Sequence, residues 1–255
     1  MGARSDAAVA FDDLASPMPP IGTFSSDETL DLPAPARRLL ASSLTEGTEL
    51  ASGVVLTMEG EIKLKKWMPF RARQVVRAGT GFVWDATVGR GPLRFVGSDS
   101  YHDGRGALDF RLWGLVPVAR ASGPDVDRSA RGRLAAETVA WLPQALTPAA
   151  GARWTPVDDE RAVVTVPVDD DSFDVTVSVD AEGHLRELSM LRWGDPDGSF
   201  AEHRFGSIVE DVATFDGVTI ASAGRVAWHR GSDRRDDGEF FRYRITDARH
   251  TSGRS

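Results

Sequence analysis

Arg131-Gly-Arg-Leu-Ala-Ala-Glu137-Thr-Val-Ala-Trp141-Leu-Pro143 reads as a helix set inside a chain whose other segments are patterned as strands. On a helical projection Leu134, Thr138, Trp141 and Ala145 share one stripe, and Glu137 lies on its shoulder, one turn before the Trp141 ring. Pro143 removes a helix hydrogen bond and clashes with the carbonyl of Val139, so the helix is expected to end around Leu142. A second helix is read near residues 34–44, where Pro35 suits a first turn and Leu39, Leu40 and Leu44 share a face.

Around these two helices the hydrophobic period is two. Val54, Leu56, Met58 and Ile62 alternate with Val55, Thr57 and Glu59, and Phe173, Val175, Val177 and Val179 alternate strictly with Ser172, Asp174, Thr176 and Ser178. Turn chemistry at Asp103-Gly104, Asp180-Ala-Glu-Gly183 and Asp216-Gly217 separates further segments over 71–77, 81–88, 93–98, 107–113, 162–168, 185–193, 200–209, 218–229 and 239–248. Short connections imply antiparallel neighbours. The chain is therefore expected to be mainly β (α+β): a strongly curved antiparallel sheet or half-barrel of about ten or eleven strands, wrapping one or two helices near 34–44 and 128–142.

The chain has 255 residues, 41% hydrophobic content and no convincing internal boundary, which points to one domain over residues 29–250. Residues 1–28, with Pro17, Pro19 and Pro20 among small and acidic residues, are expected to form a disordered tail. A formal net charge of −8 argues against a nucleic-acid partner. The sequence contains no cysteine, which excludes disulfides and thiolate metal sites. The N-terminus lacks the run of about seven to fifteen apolar residues of a signal peptide, and no stretch of about eighteen marks an integral membrane segment, so a cytoplasmic location is expected.

Chemistry-bearing motifs are sparse. The histidines His102, His184, His203, His229 and His250 show no spacing of two or four, so no metal site is expected. Gly104-Arg-Gly106 lacks the third glycine of a dinucleotide loop, Asp169-Asp170-Asp171 lacks the alternating oxygens of a calcium loop, and no cofactor is expected. What stands out is tryptophan, present seven times and often beside charge. Trp84, Trp113, Trp141, Arg111, Arg192 and Trp193 are the candidate ligand-binding residues, as aromatic walls with a few polar groups form pockets for apolar ligands. The competing reading is that these rings simply fill the interior of a curved sheet.

Glu137, Asp99 and Tyr101 are the candidate catalytic residues if the chain is an enzyme, since Phe95, Asp99 and Tyr101 share one strand face. In apolar surroundings Glu137 becomes an acid or base, whereas an arginine such as Arg192, Arg111 or Arg133 makes it a structural ion pair.

Four segments carry a resemblance: Trp67-Met-Pro69-Phe70, Gly81-Phe82-Val83-Trp84, Asp99-Ser-Tyr101 with Gly104 and Gly106, and Leu134-Ala-Ala-Glu137 with Trp141, Pro143, Ala145 and Leu146. In order and spacing the chain resembles, from about Pro33 to about Arg249, the bacterial family of unknown function DUF6544 (later DUF6920). The resemblance implies a fold similar to the LolA and LolB lipoprotein carriers, an incomplete barrel whose helix-plugged concave side holds acyl chains. It implies no established activity and no catalytic residues. The chain departs from those carriers in its N-terminus and in lacking a lipidated Cys.

These readings converge on binding of a hydrophobic or amphipathic small molecule in an aromatic-lined cavity. The alternative is a cofactor-independent cyclase, isomerase or hydrolase of bacterial secondary metabolism with a cavity carboxylate as acid or base. An interaction module using a sheet edge or an exposed Trp patch is a third class. The oligomeric state is not written in the sequence.

Overall fold

The computed structural model describes residues 3–234 and 238–252. Three α-helices, α1 (Ala3–Ala15), α2 (Ala34–Ser43) and α3 (Pro124–Trp141), accompany a single sheet. Its first six strands are β1 (Gly53–Lys63), β2 (Trp67–Arg77), β3 (Gly81–Val88), β4 (Phe95–His102), β5 (Arg105–Leu112) and β6 (Val116–Ser122). Its last seven are β7 (Arg153–Pro156), β8 (Arg161–Val168), β9 (Asp171–Val179), β10 (Leu185–Gly194), β11 (Ala201–Phe215), β12 (Val218–Trp228) and β13 (Glu239–His250).

The strand order is β6-β5-β4-β3-β2-β1-β13-β12-β11-β10-β9-β8-β7, so two meanders meet where β1 pairs antiparallel with β13. The sheet stays open, with β6 and β7 as its edges. Those edges are the two strands beyond the eleven that alternation reveals. All seven residues of β6 are exposed, so it has no buried face to impose a period. β7 is only four residues long.

Helix α3 connects the two edges and lies inside the curve. Pro124 occupies its first turn with Asp125 and Asp127, which favour the positive end of the helix dipole. The helix stops where Pro143 requires: Leu142 leaves helical geometry, and its N–H closes the last turn on Thr138 O. Its second half, Leu134 to Trp141, is buried throughout, and Trp141 Nε1 donates to the carbonyl of Ala221 on β12 at 3.2 Å.

α3 touches strands of both halves, from β6 to β8. Laid flat, the twelve strands from β6 to β8 would span about 50 Å, whereas a helix is about 10–12 Å across. One helix packs against strands as far apart in the order as β6 and β8 because the sheet curls around it, as expected of a half-barrel. Register shifts in the β1/β13, β11/β12 and β12/β13 pairs add the local twist that such curling uses.

The N-terminus departs from its expectation. Where composition predicts a disordered tail over 1–28, Ala3–Ala15 is the helix α1, and its Ala10, Phe11 and Leu14 pack on Val75 and Val83 of the convex face. Three apolar residues at helical spacing suffice because the strands beneath offer an apolar outer face. Val75 and Val76 are both fully buried, which in a strand requires cover on both sides. Among the described residues, no helix is long and apolar enough to cross a membrane.

Candidate functional site

The concave side of the sheet and α3 enclose a cavity of about 550 Å³. Strand alternation sends Trp84 and Val88 of β3, Phe95 and Asp99 of β4, and Leu108 and Phe110 of β5 into it. The opposite wall carries Leu188 and Arg192 of β10, Phe205 and Ser207 of β11, and Val226 and Trp228 of β12. α3 contributes Ser129, Arg133, Ala136, Glu137, Ala140 and Trp141, which recur every three or four residues and so form one helical face.

β13 adds three aromatic side chains in four positions. Val226 pairs with Phe241 and Ala227 with Glu239, so Phe240 is the extra residue of a bulge. The bulge lets consecutive residues, Phe240 and Phe241, both face the cavity, with Tyr243 following on the same side. The rings interlock: Trp84 meets Phe241 at 5.9 Å and Phe110 at 5.9 Å, Trp141 meets Tyr243 edge-on at 5.6 Å, and Phe205 meets Trp228 at 5.0 Å.

Polar groups converge on this apolar wall at two places. At the first, Arg133 Nε donates to Glu137 Oε1 at 2.7 Å and Nη1 to Asp99 Oδ2 at 2.6 Å, while Gln74 Nε2 donates to Glu137 Oε2 at 2.6 Å. The guanidinium also lies 4.4 Å from the centre of the Phe82 ring. Burial works against its charge, but Glu137 and Asp99 outweigh burial and hold Arg133 above its ordinary value. Both oxygens of Glu137 are therefore occupied, and the carboxylate ties α3 to β2 and, through Arg133, to β4. Glu137 is a strut that also lines the cavity.

The second place is Arg192, buried on β10. It has no carboxylate within 4 Å among the described residues; Nε donates to Ser129 O at 3.2 Å and Nη2 to Ser129 Oγ at 3.3 Å. Its guanidinium stacks 4.6 Å from Phe205 and 5.0 Å from Trp228. Burial first, and the neighbouring Arg133 second, pull Arg192 down to about 10. The Trp84 indole nitrogen is buried without a partner among the described residues, and burial pushes the Tyr243 phenol up.

Five of the candidate residues thus meet at one cavity: Asp99, Glu137, Trp84, Trp141 and Arg192. The other four lie outside its lining. Tyr101 shares the face of Asp99 but sits one residue pair further along β4, where its hydroxyl donates to Asp169 and burial pushes the phenol up. Arg111 is turned to Asp109, at 3.0 Å. Trp113 is at an exposed hairpin tip. Trp193 donates to Asp125 at 2.9 Å and lies under Arg128, on the opposite face from its neighbour Arg192.

Gln74, which sequence reasoning passes over, is the only polar residue in the buried run Gln74-Val75-Val76. A fully buried amide inside an apolar strand is the signal that could have found it.

The structure also brings together Asp197, His203 and His229, whose ligand atoms lie within 4.8 Å of one another, although chain spacing gives no hint of a metal set. They come from the β10–β11 loop and from the adjoining ends of β11 and β12, which the pairing of Phe205 with Trp228 makes neighbours. Arg234 already holds the Asp197 carboxylate through two hydrogen bonds, at 3.1 and 2.6 Å.

Among solved structures, the chain is similar to an outer membrane lipoprotein-sorting protein domain from Vibrio parahaemolyticus (13% identity, 80% of this chain and 87% of that chain, TM-score 0.41). It is also similar to a DUF1329 family protein from Desulfovibrio piger (13% identity, 80% and 88%, TM-score 0.43). A third similar structure is a LolA superfamily protein from Nitrosomonas europaea (10% identity, 80% and 87%, TM-score 0.41). No curated protein matches. The model of the family of unknown function DUF6544 matches residues 22–241, nearly the whole described sheet together with α2 and α3, and the chain belongs to that family.

Proposed function

We propose that the chain binds a hydrophobic or amphipathic small molecule in the cavity between α3 and the sheet. The observation that carries this reading is a cavity of about 550 Å³ walled by Trp84, Phe110, Trp141, Phe205, Trp228 and Phe241 and broken by a few convergent polar groups. That is the size and chemistry of a small-molecule site, where apolar area supplies affinity and the polar groups fix orientation. Arg192 and the Trp84 N–H offer donors to a polar group on the ligand, and burial of that ligand leaves fewer of them unpaired.

Acid–base catalysis at Glu137 or Asp99 has less support. Glu137 accepts from Arg133 and Gln74, and Asp99 accepts from Arg133, so both carboxylates are already engaged in holding α3 to the sheet.

The test is native mass spectrometry of the purified protein after incubation with a bacterial lipid extract. A bound mass that denaturation releases is the expected result. Protein that stays at its bare mass across lipid and polyketide-like extracts overturns the proposal.

A further inference from the structure

Hairpin connections β1–β2, β3–β4 and β5–β6 emerge at one end of the sheet. The register shows this: Gly60 pairs with Phe70, Phe70 with Val88, Val88 with Phe95, Phe95 with Leu112 and Leu112 with Val116, so one row crosses all six strands and the three tips project beyond it. Six strands set them along an edge of about 24 Å.

The tips are residues 63–66, 89–94 and 113–115. They hold Lys63, Lys65, Lys66, Arg90 and Arg94 and not one acidic residue, in a chain whose net charge is −8. None of these five side chains makes an ion pair among the described residues, whereas Arg111, just behind them, is held by Asp109. Between the charges stand four large apolar side chains in water: Leu64 (58% exposed), Leu93 (48%), Trp113 (56%) and Leu115 (75%). Scattered exposed apolar residues need no explanation, but four on three adjacent tips do.

Trp113 adds a second argument. Its φ of 53° is the left-handed conformation that bulky residues avoid, and its N–H is fixed to Arg94 O of the next tip at 2.9 Å. A ring that leaves the core and is held outward at a conformational cost is placed for a partner. The cavity reaches the same end, since Leu64 of the first tip and Val118 of β6 are part of its lining.

We propose that these three tips dock on an anionic lipid bilayer, with Leu64, Leu93, Trp113 and Leu115 entering the headgroup layer and the five basic residues facing lipid phosphates. Basic residues attract the acidic headgroups, tryptophan prefers the interface between water and lipid, and neither alone holds a protein there firmly. The β10–β11 and β12–β13 loops at the same end carry Asp195, Asp197 and Asp233, and their Arg230 and Arg234 are held by Glu187 and Asp197, so among the described residues of this end the basic ones without an ion pair lie in the β1–β6 half. Docked this way, the cavity mouth beside Leu64 and Val118 opens toward the lipid. The proposal goes beyond the cavity reading and does not require it.

The experiment is co-sedimentation of the full chain with sucrose-loaded vesicles of phosphatidylcholine alone or with 30% phosphatidylglycerol, at low and high salt. Three variants accompany it: the five basic residues changed to Gln; Leu64→Ser, Trp113→Ser and Leu115→Ser together; and, as control, Arg153→Gln with Arg186→Gln on the other half. Binding to the anionic vesicles alone, weakened by salt, is expected, with a loss on the order of a thousandfold in the Gln variant. The Ser variant loses binding while keeping the wild-type melting midpoint, and the control binds like wild type. Absence of binding to anionic vesicles, binding that the tip variants leave unchanged, or a concentration-dependent dimer broken by the Ser variant in place of vesicle binding each overturns the proposal. Cavity occupancy is read separately by native mass spectrometry, so either idea can fail alone.

Discussion

Replacing Arg133 by Met removes the guanidinium that touches both Asp99 and Glu137 and leaves two carboxylates facing an aromatic cavity. The Met side chain keeps most of the packing of the aliphatic stem, so the change isolates charge. Breaking a buried ion pair by deleting one member costs about 3–5 kcal/mol. The side chains are not fully enclosed, with Arg133 18%, Glu137 11% and Asp99 27% exposed, which places the effect at the lower end. About 3 kcal/mol is expected at pH 7.5, and for a chain of this size that lowers the melting midpoint by about 6–12 °C.

Glu137→Gln, which keeps the Arg133–Asp99 pair, costs only about 1 kcal/mol. In the double variant the two losses are less than additive, since the second change removes a charge that the first exposed. Urea and thermal unfolding at pH 7.5, followed by tryptophan fluorescence, gives all these quantities. A midpoint shift below about 2 °C for Arg133→Met, or strictly additive losses in the double variant, refutes the view that this charge cluster holds α3 in place.

Three further outcomes are expected. Ala136→Phe places a ring in the cavity from the face of α3 and abolishes the ligand adduct in native mass spectrometry at a stability cost of about 1–3 kcal/mol; an undiminished adduct would put the ligand elsewhere. Leu14→Ala, at a fully buried position of α1, costs about 3 kcal/mol in urea unfolding, and a loss under about 1 kcal/mol would mean that α1 does not pack on Val75 and Val83. His250 is pulled down from 6.5 to about 4 by burial, so below pH 6.5 the unfolded chain takes a proton that the fold resists. Stability therefore falls by about 3 kcal/mol on acidification toward pH 4. His250→Leu removes that part of the acid sensitivity, and an unchanged pH profile in the variant counts against it.

The sequence made the strands legible wherever one face is wet and the other dry, as in Phe173 to Val179, and it marked the stop of α3 through the chemistry of Pro143. The same rule explains what was hidden. β6 is exposed on both faces and carries no period, and the helical spacing of Ala10, Phe11 and Leu14 in α1 is too short a signal to stand out from a proline-rich, acidic segment. At the site, Trp, Arg and acid content pointed toward a lined cavity, but residue type does not tell which side of a strand a side chain takes. Arg192 and Trp193 are adjacent, so alternation sends only Arg192 inward. The Phe240 bulge and the meeting of Asp197, His203 and His229 arise from pairing between strands, which local sequence does not encode.

The seam between β1 and β13 has a consequence for how the chain comes into being. Val54 pairs with His250, almost two hundred residues away, while nearly every other pairing joins strands adjacent in sequence. During synthesis the first meander and α3 can assemble as they emerge, yet the inner edge of β1 stays bare until the last strand is released. Closure of that seam therefore carries the largest loop-closure cost of the strand pairings in the sheet. A chain cut short before β13 would present β1 as an open template, at which two truncated copies pair with each other.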